Sequence, residues 1–117
     1  MNPTEVLSKE LQTRYAKAAQ SEETVYLVSP EEIKNTQLTR PKQSGMVTWH
    51  FRIQNARDVA FGTSDSFIWD ASRINLPSGK KALAQSAYPI ESNGQDAWTR
   101  STEYSKASIE YLTLIHI

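Results

Sequence analysis

His50 and His116 are the only two imidazoles in this 117-residue chain, and there is no cysteine. Catalytic zinc needs three protein ligands, commonly two His and a carboxylate. Here the two histidines stand far apart, with no H-E-x-x-H spacing between them. No metal ligand is therefore assigned. Serines and threonines are plentiful, but no G-x-S-x-G elbow presents one as a nucleophile. Carboxylates that could pair for acid–base work are Asp58, Asp65 and Asp70. The first two fall in turns, where Asp bonds its own backbone. Asp70 follows Trp69 inside an apolar run, an unusual place for a charge. Its plain reading is an ion pair with Arg57 or Arg73; its functional reading is an acid–base site with His50. Leu76-Pro77-Ser78-Gly79-Lys80-Lys81 contains S-G-K without the phosphate-loop spacing and reads as a turn. No catalytic, cofactor-binding or metal-binding residue is assigned.

The elements that would position these groups are those of a small α+β domain. Residues 2–20 read as a helix, with Asn2 as cap, Pro3 at its first position and Glu5 in its first turn. Leu7, Leu11, Tyr15 and Ala18 form its apolar stripe. Residues 24–28 read as a strand, and Ser29-Pro30-Glu31-Glu32 as the start of a helix of one or two turns. A loop is expected over 35–45. The clearest strand signal is 46–54, where Val47, Trp49, Phe51 and Ile53 alternate with Thr48, His50, Arg52 and Gln54. Short strands are expected at 59–62 and 67–70, and a last one at 82–88 before Pro89. From residue 96 the period becomes helical. Tyr104, Ala107, Ser108, Tyr111, Leu112 and Ile115 share one face. The expected fold is a twisted, mostly antiparallel sheet with an N-terminal and a C-terminal helix. The aromatics Trp49, Phe51, Phe61, Phe67 and Trp69 are expected in its core.

Thirteen basic and thirteen acidic side chains give a formal net charge of zero. That argues against nucleic acid held through phosphates and against a polybasic membrane surface. No apolar run is long enough to span a bilayer. The first residues lack the basic and apolar regions of a signal peptide, so the compartment stays open. The C-terminal helix ends at His116-Ile117 with no glycine stop, basic last turn or polar tail, and a cut chain is expected there, the alternative being a C-terminal helix docked on the sheet.

Several segments in order carry a resemblance. They are Asn2-Pro3-Thr4-Glu5-Val6-Leu7 with Arg14-Tyr15, then Thr48-Trp49-His50-Phe51, Arg57-Asp58-Val59-Ala60-Phe61 and Ser66-Phe67-Ile68-Trp69-Asp70-Ala71. Ala87-Tyr88-Pro89 and Trp98-Thr99-Arg100-Ser101-Thr102-Glu103-Tyr104 follow. The series resembles a bacterial branch of the aminopeptidase N-like zinc metallopeptidases over about residues 2–111. The resemblance implies that residues 1–95 are part of that family's N-terminal β-rich domain. Residues 96–117 would begin the first helix of the catalytic domain. The family's G-x-M-E motif and its zinc ligands would lie beyond Ile117. The parent would be a zinc-dependent hydrolase, exported or periplasmic, and this chain would bind no cofactor and be inactive alone. Residues 112–117 depart from the family's aromatic, proline-containing passage. Tyr104, Tyr111, Leu112 and Ile115 are the expected interaction surface, for the missing catalytic domain or a homodimer partner. The other reading is an independent module that stacks Trp49, Trp69 or Trp98 on a peptide or a carbohydrate.

Overall fold

A computed structural model describes residues 1–40 and 45–115, the last of these by its backbone alone. The expected loop over 41–44, the side chain of Ile115, and His116 lie outside the described residues. The protein is α+β. Helices α1 (Pro3–Val6) and α2 (Lys9–Ala18) precede strand β1 (Val25–Val28) and helix α3 (Thr36–Thr39). Strands β2 (Phe67–Asn75) and β3 (Lys81–Pro89) follow, then a 3₁₀ segment Ile90–Asp96 and helix α4 (Ser101–Ile115). The three strands form one antiparallel sheet in the order β1-β2-β3.

The expected first helix is broken in two. Leu7 is extended, and Ser8, not Asn2, caps the longer piece by accepting from the Leu11 N–H at 3.2 Å. Ser8 also donates to the Leu38 carbonyl, tying α2 to α3. The Asn2 side chain makes no cap bond at all. It is used elsewhere, as described below. The helix expected after Ser29 is only a turn over 30–34, and a helical turn forms at α3 instead, inside the expected loop.

Alternation along β2 and β3 divides the sheet into two unlike faces. On one face Trp69, Ala71 and Leu83 pack with Val6, Leu7, Leu11, Ala18, Leu27 and Val28 under α2. A register shift between Tyr26 and Val28 leaves Leu27 and Val28 both buried in this core. Arg14 of α2 clamps the layer from its edge. It donates to the Leu27 carbonyl at 2.9 Å and forks onto both Glu32 oxygens at 2.8 and 2.9 Å. The fork on Arg14 holds the Glu32 carboxyl down at about 2. The other face carries Ile68, Asp70, Ser72 and Ile74 of β2 with Ser86 and Tyr88 of β3, and α4 lies over it. The β2–β3 hairpin closes at Gly79, whose φ of 84° suits the left-handed turn position.

The expected strands at 46–54 and 59–62 are not in the sheet. Residues 45–66 have no helix or strand, and Met46, Phe51, Ile53, Val59 and Phe61 are exposed. The pattern was that of a strand, but a strand also needs a neighbour for its backbone groups. Among the described residues, no backbone–backbone bond reaches 45–62. Of the aromatics expected in the core, Phe67 and Trp69 are half-buried, and Trp49, Phe51 and Phe61 are not in it.

The α2 layer therefore holds the stability of the fold. Leu11, 1% exposed at its centre, should cost about 2–5 kcal/mol on Leu11→Ala, read by urea denaturation. Phe61→Ala, at a position 92% exposed, should shift the same transition by no more than about 0.5 kcal/mol. Equal costs at the two positions would mean that residues 45–66 are packed in solution.

Candidate functional site

Helix α4 meets the sheet with its polar side. Thr102, Lys106, Glu110 and Thr113 recur at the helical repeat; Thr102 is buried and the other three, like Ser101, are half-buried. Each of the first three makes a specific bond. Thr102 Oγ1 donates to the Asp70 carboxylate, Lys106 Nζ donates to the Glu22 carbonyl at 2.7 Å, and Glu110 Oε1 accepts from the Asn75 N–H at 3.2 Å. The tyrosines lie on the far side of the helix, Tyr104 being 54% and Tyr111 64% exposed. Leu112 and Leu114 are exposed as well. The helix thus presents outward the face that an amphipathic helix ordinarily buries. Of the expected interaction residues, Tyr104, Tyr111 and Leu112 are on this outward side, and the Ile115 side chain is outside the described residues.

Asp70 is the centre of the docking. It sits in the middle strand, opposite Tyr26 of β1 and Ser86 of β3. Its side chain is fully buried. Tyr88 Oη donates to Oδ2 at 3.1 Å, and Thr102 donates to Oδ1. Thr102 has a single hydroxyl proton, and a carboxylate can only accept. The Ser86 hydroxyl, 2.8 Å from Thr102 Oγ1, therefore supplies the proton of that contact. The order Ser86 to Thr102 to Asp70 is a chain of hydroxyls ending on a carboxylate. Burial pushes the Asp70 carboxyl up, and the two hydroxyl donors offset part of that rise. Burial, with the neighbouring carboxylate, pushes Tyr88 up as well.

The ion pair expected for Asp70 does not form. Arg73 points to the other face and to the edge, where it binds Glu22 at 3.0 Å and the Gln20 carbonyl at 3.1 Å. Side chains on successive strand residues alternate, and Arg73 is three residues from Asp70, on the opposite face. Arg57 lies in the exposed 45–66 segment. The acid–base pair with His50 does not form either. His50 is exposed and its backbone N–H bonds Asn2. A carboxylate with no solvent contact and only hydroxyl partners has no route to a substrate. Asp70 is a docking group.

Beside α4 a cavity of about 370 Å³ opens toward the start of β1. Glu22, Glu23, Glu103 and Glu110 line it with Thr24, Ser72, Lys106 and Ala107. Lys106 is committed to the Glu22 carbonyl, and the Glu22 carboxylate to Arg73 and Asn75. No tryptophan lines it: Trp49 and Trp98 are exposed elsewhere, and the Trp69 indole donates to Gln85 on the opposite face. Among the described residues no group of three or more His, Asp or Glu is placed to hold a metal ion.

Comparison with protein-family models, curated proteins and solved structures found no match.

The apolar stripe of α4 is the stronger sequence signal, and it masks the residues that dock the helix. The signal was present in Thr102, Lys106 and Glu110, which follow the same period on the other side. Their partners, Asn75 and the Glu22 carbonyl, carry no sequence mark of their role.

The raised Asp70 carboxyl sets the sign of a pH test. The folded protein holds this proton more tightly than the unfolded chain, whose ordinary value is 3.8. Asp70 therefore favours folding most below that value, and the contribution declines as pH rises through the folded value. Glu32 runs the other way, stabilising fully above 4.5 and losing its contribution as pH falls toward about 2. In urea titrations across acid and neutral pH, the stability lost on Asp70→Asn should shrink as pH rises. A loss that does not change with pH would contradict a buried, protonation-linked carboxyl.

Proposed function

We propose that this chain is a non-catalytic structural unit of a zinc-dependent aminopeptidase, with residues 1–95 in the β-rich N-terminal domain and 96–117 opening the first catalytic-domain helix. The observation that carries the reading is the inverted attachment of α4. Its polar face is satisfied by the sheet, and its tyrosines and leucines are left for a second body. Exposed apolar side chains gathered on one helix face mark an interaction surface. The series of short segments from Asn2 to Tyr104, which resembles the aminopeptidase N-like enzymes, supports a catalytic domain as the second body.

The role is that of a wall. Asp70, Thr102 and Ser86 hold α4 to the sheet, and the helix offers Tyr104, Tyr111 and Leu112 to the domain that carries the metal. The parent's chemistry is removal of an amino-terminal residue from a peptide by zinc-activated water. No residue of this chain takes part in that step.

Two measurements test the reading. The purified chain should contain no stoichiometric zinc and release no amino acid from a chromogenic amide. It should also co-elute with a bacterial aminopeptidase N-like catalytic domain expressed without its β-rich domain. The double variant Tyr104→Lys, Tyr111→Lys should bind that domain at least about tenfold more weakly, a difference of about 1.4 kcal/mol. Turnover or bound zinc in the chain alone would overturn the proposal, as would association that the double variant leaves unchanged.

A further inference from the structure

The segment 46–54 has the side-chain order of a strand, and part of it has the geometry of one. The Asn2 carboxamide donates to the Thr48 carbonyl at 2.9 Å and accepts from the His50 N–H at 2.8 Å. A residue of a neighbouring parallel strand makes the same pair of bonds, to residues on either side of its counterpart. The Trp49 and Phe51 rings stack at 5.9 Å and 12°, as side chains two apart on one strand face can. Thr48 and His50 thus use one backbone edge, and Val47, Trp49, Phe51 and Ile53 present the other.

The same chain has an open edge to match. β3 is the outer strand beyond β2, nine residues long, and among the described residues its free edge has no strand beside it. Natural edge strands are blunted by charges, prolines or bulges. β3 has one charge, Lys81 at its start, one proline, Pro89 at its end, and an unbroken register with β2 between them. Its exposed side chains include Ala82, Gln85 and Ala87, which are small or neutral.

We propose that residues 46–54 of one copy add as a strand to the free edge of β3 in a second copy, and that the exchange is reciprocal. Every copy supplies both a nine-residue donor and a nine-residue acceptor edge, so a two-fold dimer satisfies both at once. The zero net charge opposes no such contact. The interface is separate from the outward face of α4, and it does not rest on the aminopeptidase reading.

Phe51→Pro tests it. The substitution removes an N–H on the edge away from Asn2, at a side chain 73% exposed, so the fold should survive. Light scattering during size exclusion, over a rising concentration series, should show the wild type passing from 13.2 kDa to twice that mass. Phe51→Pro should remain at the lower mass with an unchanged circular dichroism spectrum. Amides of β3 should exchange more slowly in concentrated wild type than in the variant. A wild type that stays monomeric throughout overturns the proposal. So does a dimer that survives Phe51→Pro with β3 exchange unchanged. A dimer abolished by Tyr104→Lys, Tyr111→Lys would place the contact on α4 and overturn it also.

Discussion

The burial of Asp70 fixes how the two halves of the protein can be joined. A carboxylate in the middle strand of a three-stranded sheet, with no cation beside it, needs hydrogen-bond donors within reach. Tyr88 supplies one from the next strand, and Thr102 can supply the other only if α4 lies with its threonine side down. The orientation of the helix follows from that requirement. Once Thr102 faces the sheet, the helical repeat brings Lys106 and Glu110 to the Glu22 carbonyl and the Asn75 N–H, and turns Tyr104 and Tyr111 away.

The two faces of the sheet are consequently held by different forces. Under α2 the contact is apolar and closely packed, and its free energy comes mainly from area removed from water. Under α4 the sheet buries Ile68, Ile74, Ala84 and Tyr88 as well, but what the helix itself brings is a short set of directional bonds, each worth little net and costly to leave unmade. A polar contact of this kind specifies orientation better than it supplies stability. The α2 layer is thus the anchor of the fold, and α4 is a helix held in register by its polar side chains.

Much of this was legible in the sequence. The β2–β3 hairpin, β1 and the C-terminal helix lie where alternation and helical period put them, although only the hairpin finds its partner next in the chain; Val25 of β1 stands opposite Ala71, and Lys106 of α4 reaches back to Glu22. Ser8 is the real cap although Asn2-Pro3 carries the stronger local signal, and the extended Leu7, buried in the core, breaks the helix between them. The docking face of α4 is the reverse of the one its apolar period predicts. Hydrophobic period says which side of a helix is apolar, and the usual inference that this side faces its own domain fails when a buried carboxylate outbids it. The partners of Asp70 could not be found by looking for opposite charge, because hydroxyls on β3 and α4 do the same work.

The segment 46–54 shows a different limit. Period two was a correct description of the residues and an incomplete statement about the fold, since a strand is defined by what lies next to it. Val47 packs against the α2 core, but Trp49, Phe51 and Ile53 stay exposed, and with the unused backbone edge they raise the cost of remaining alone. Local pattern and global placement agree throughout α2, β2 and β3 and disagree at α4 and at 46–54. Sequences that fold reliably keep such disagreements few, and those they keep tend to fall where the chain meets a partner. Both disagreements here leave the same kinds of group outward, aromatic and branched apolar side chains, on a chain with no net charge to keep partners away. On the proposed readings, the surface built by these two elements is an unfinished contact rather than a solvent-adapted exterior.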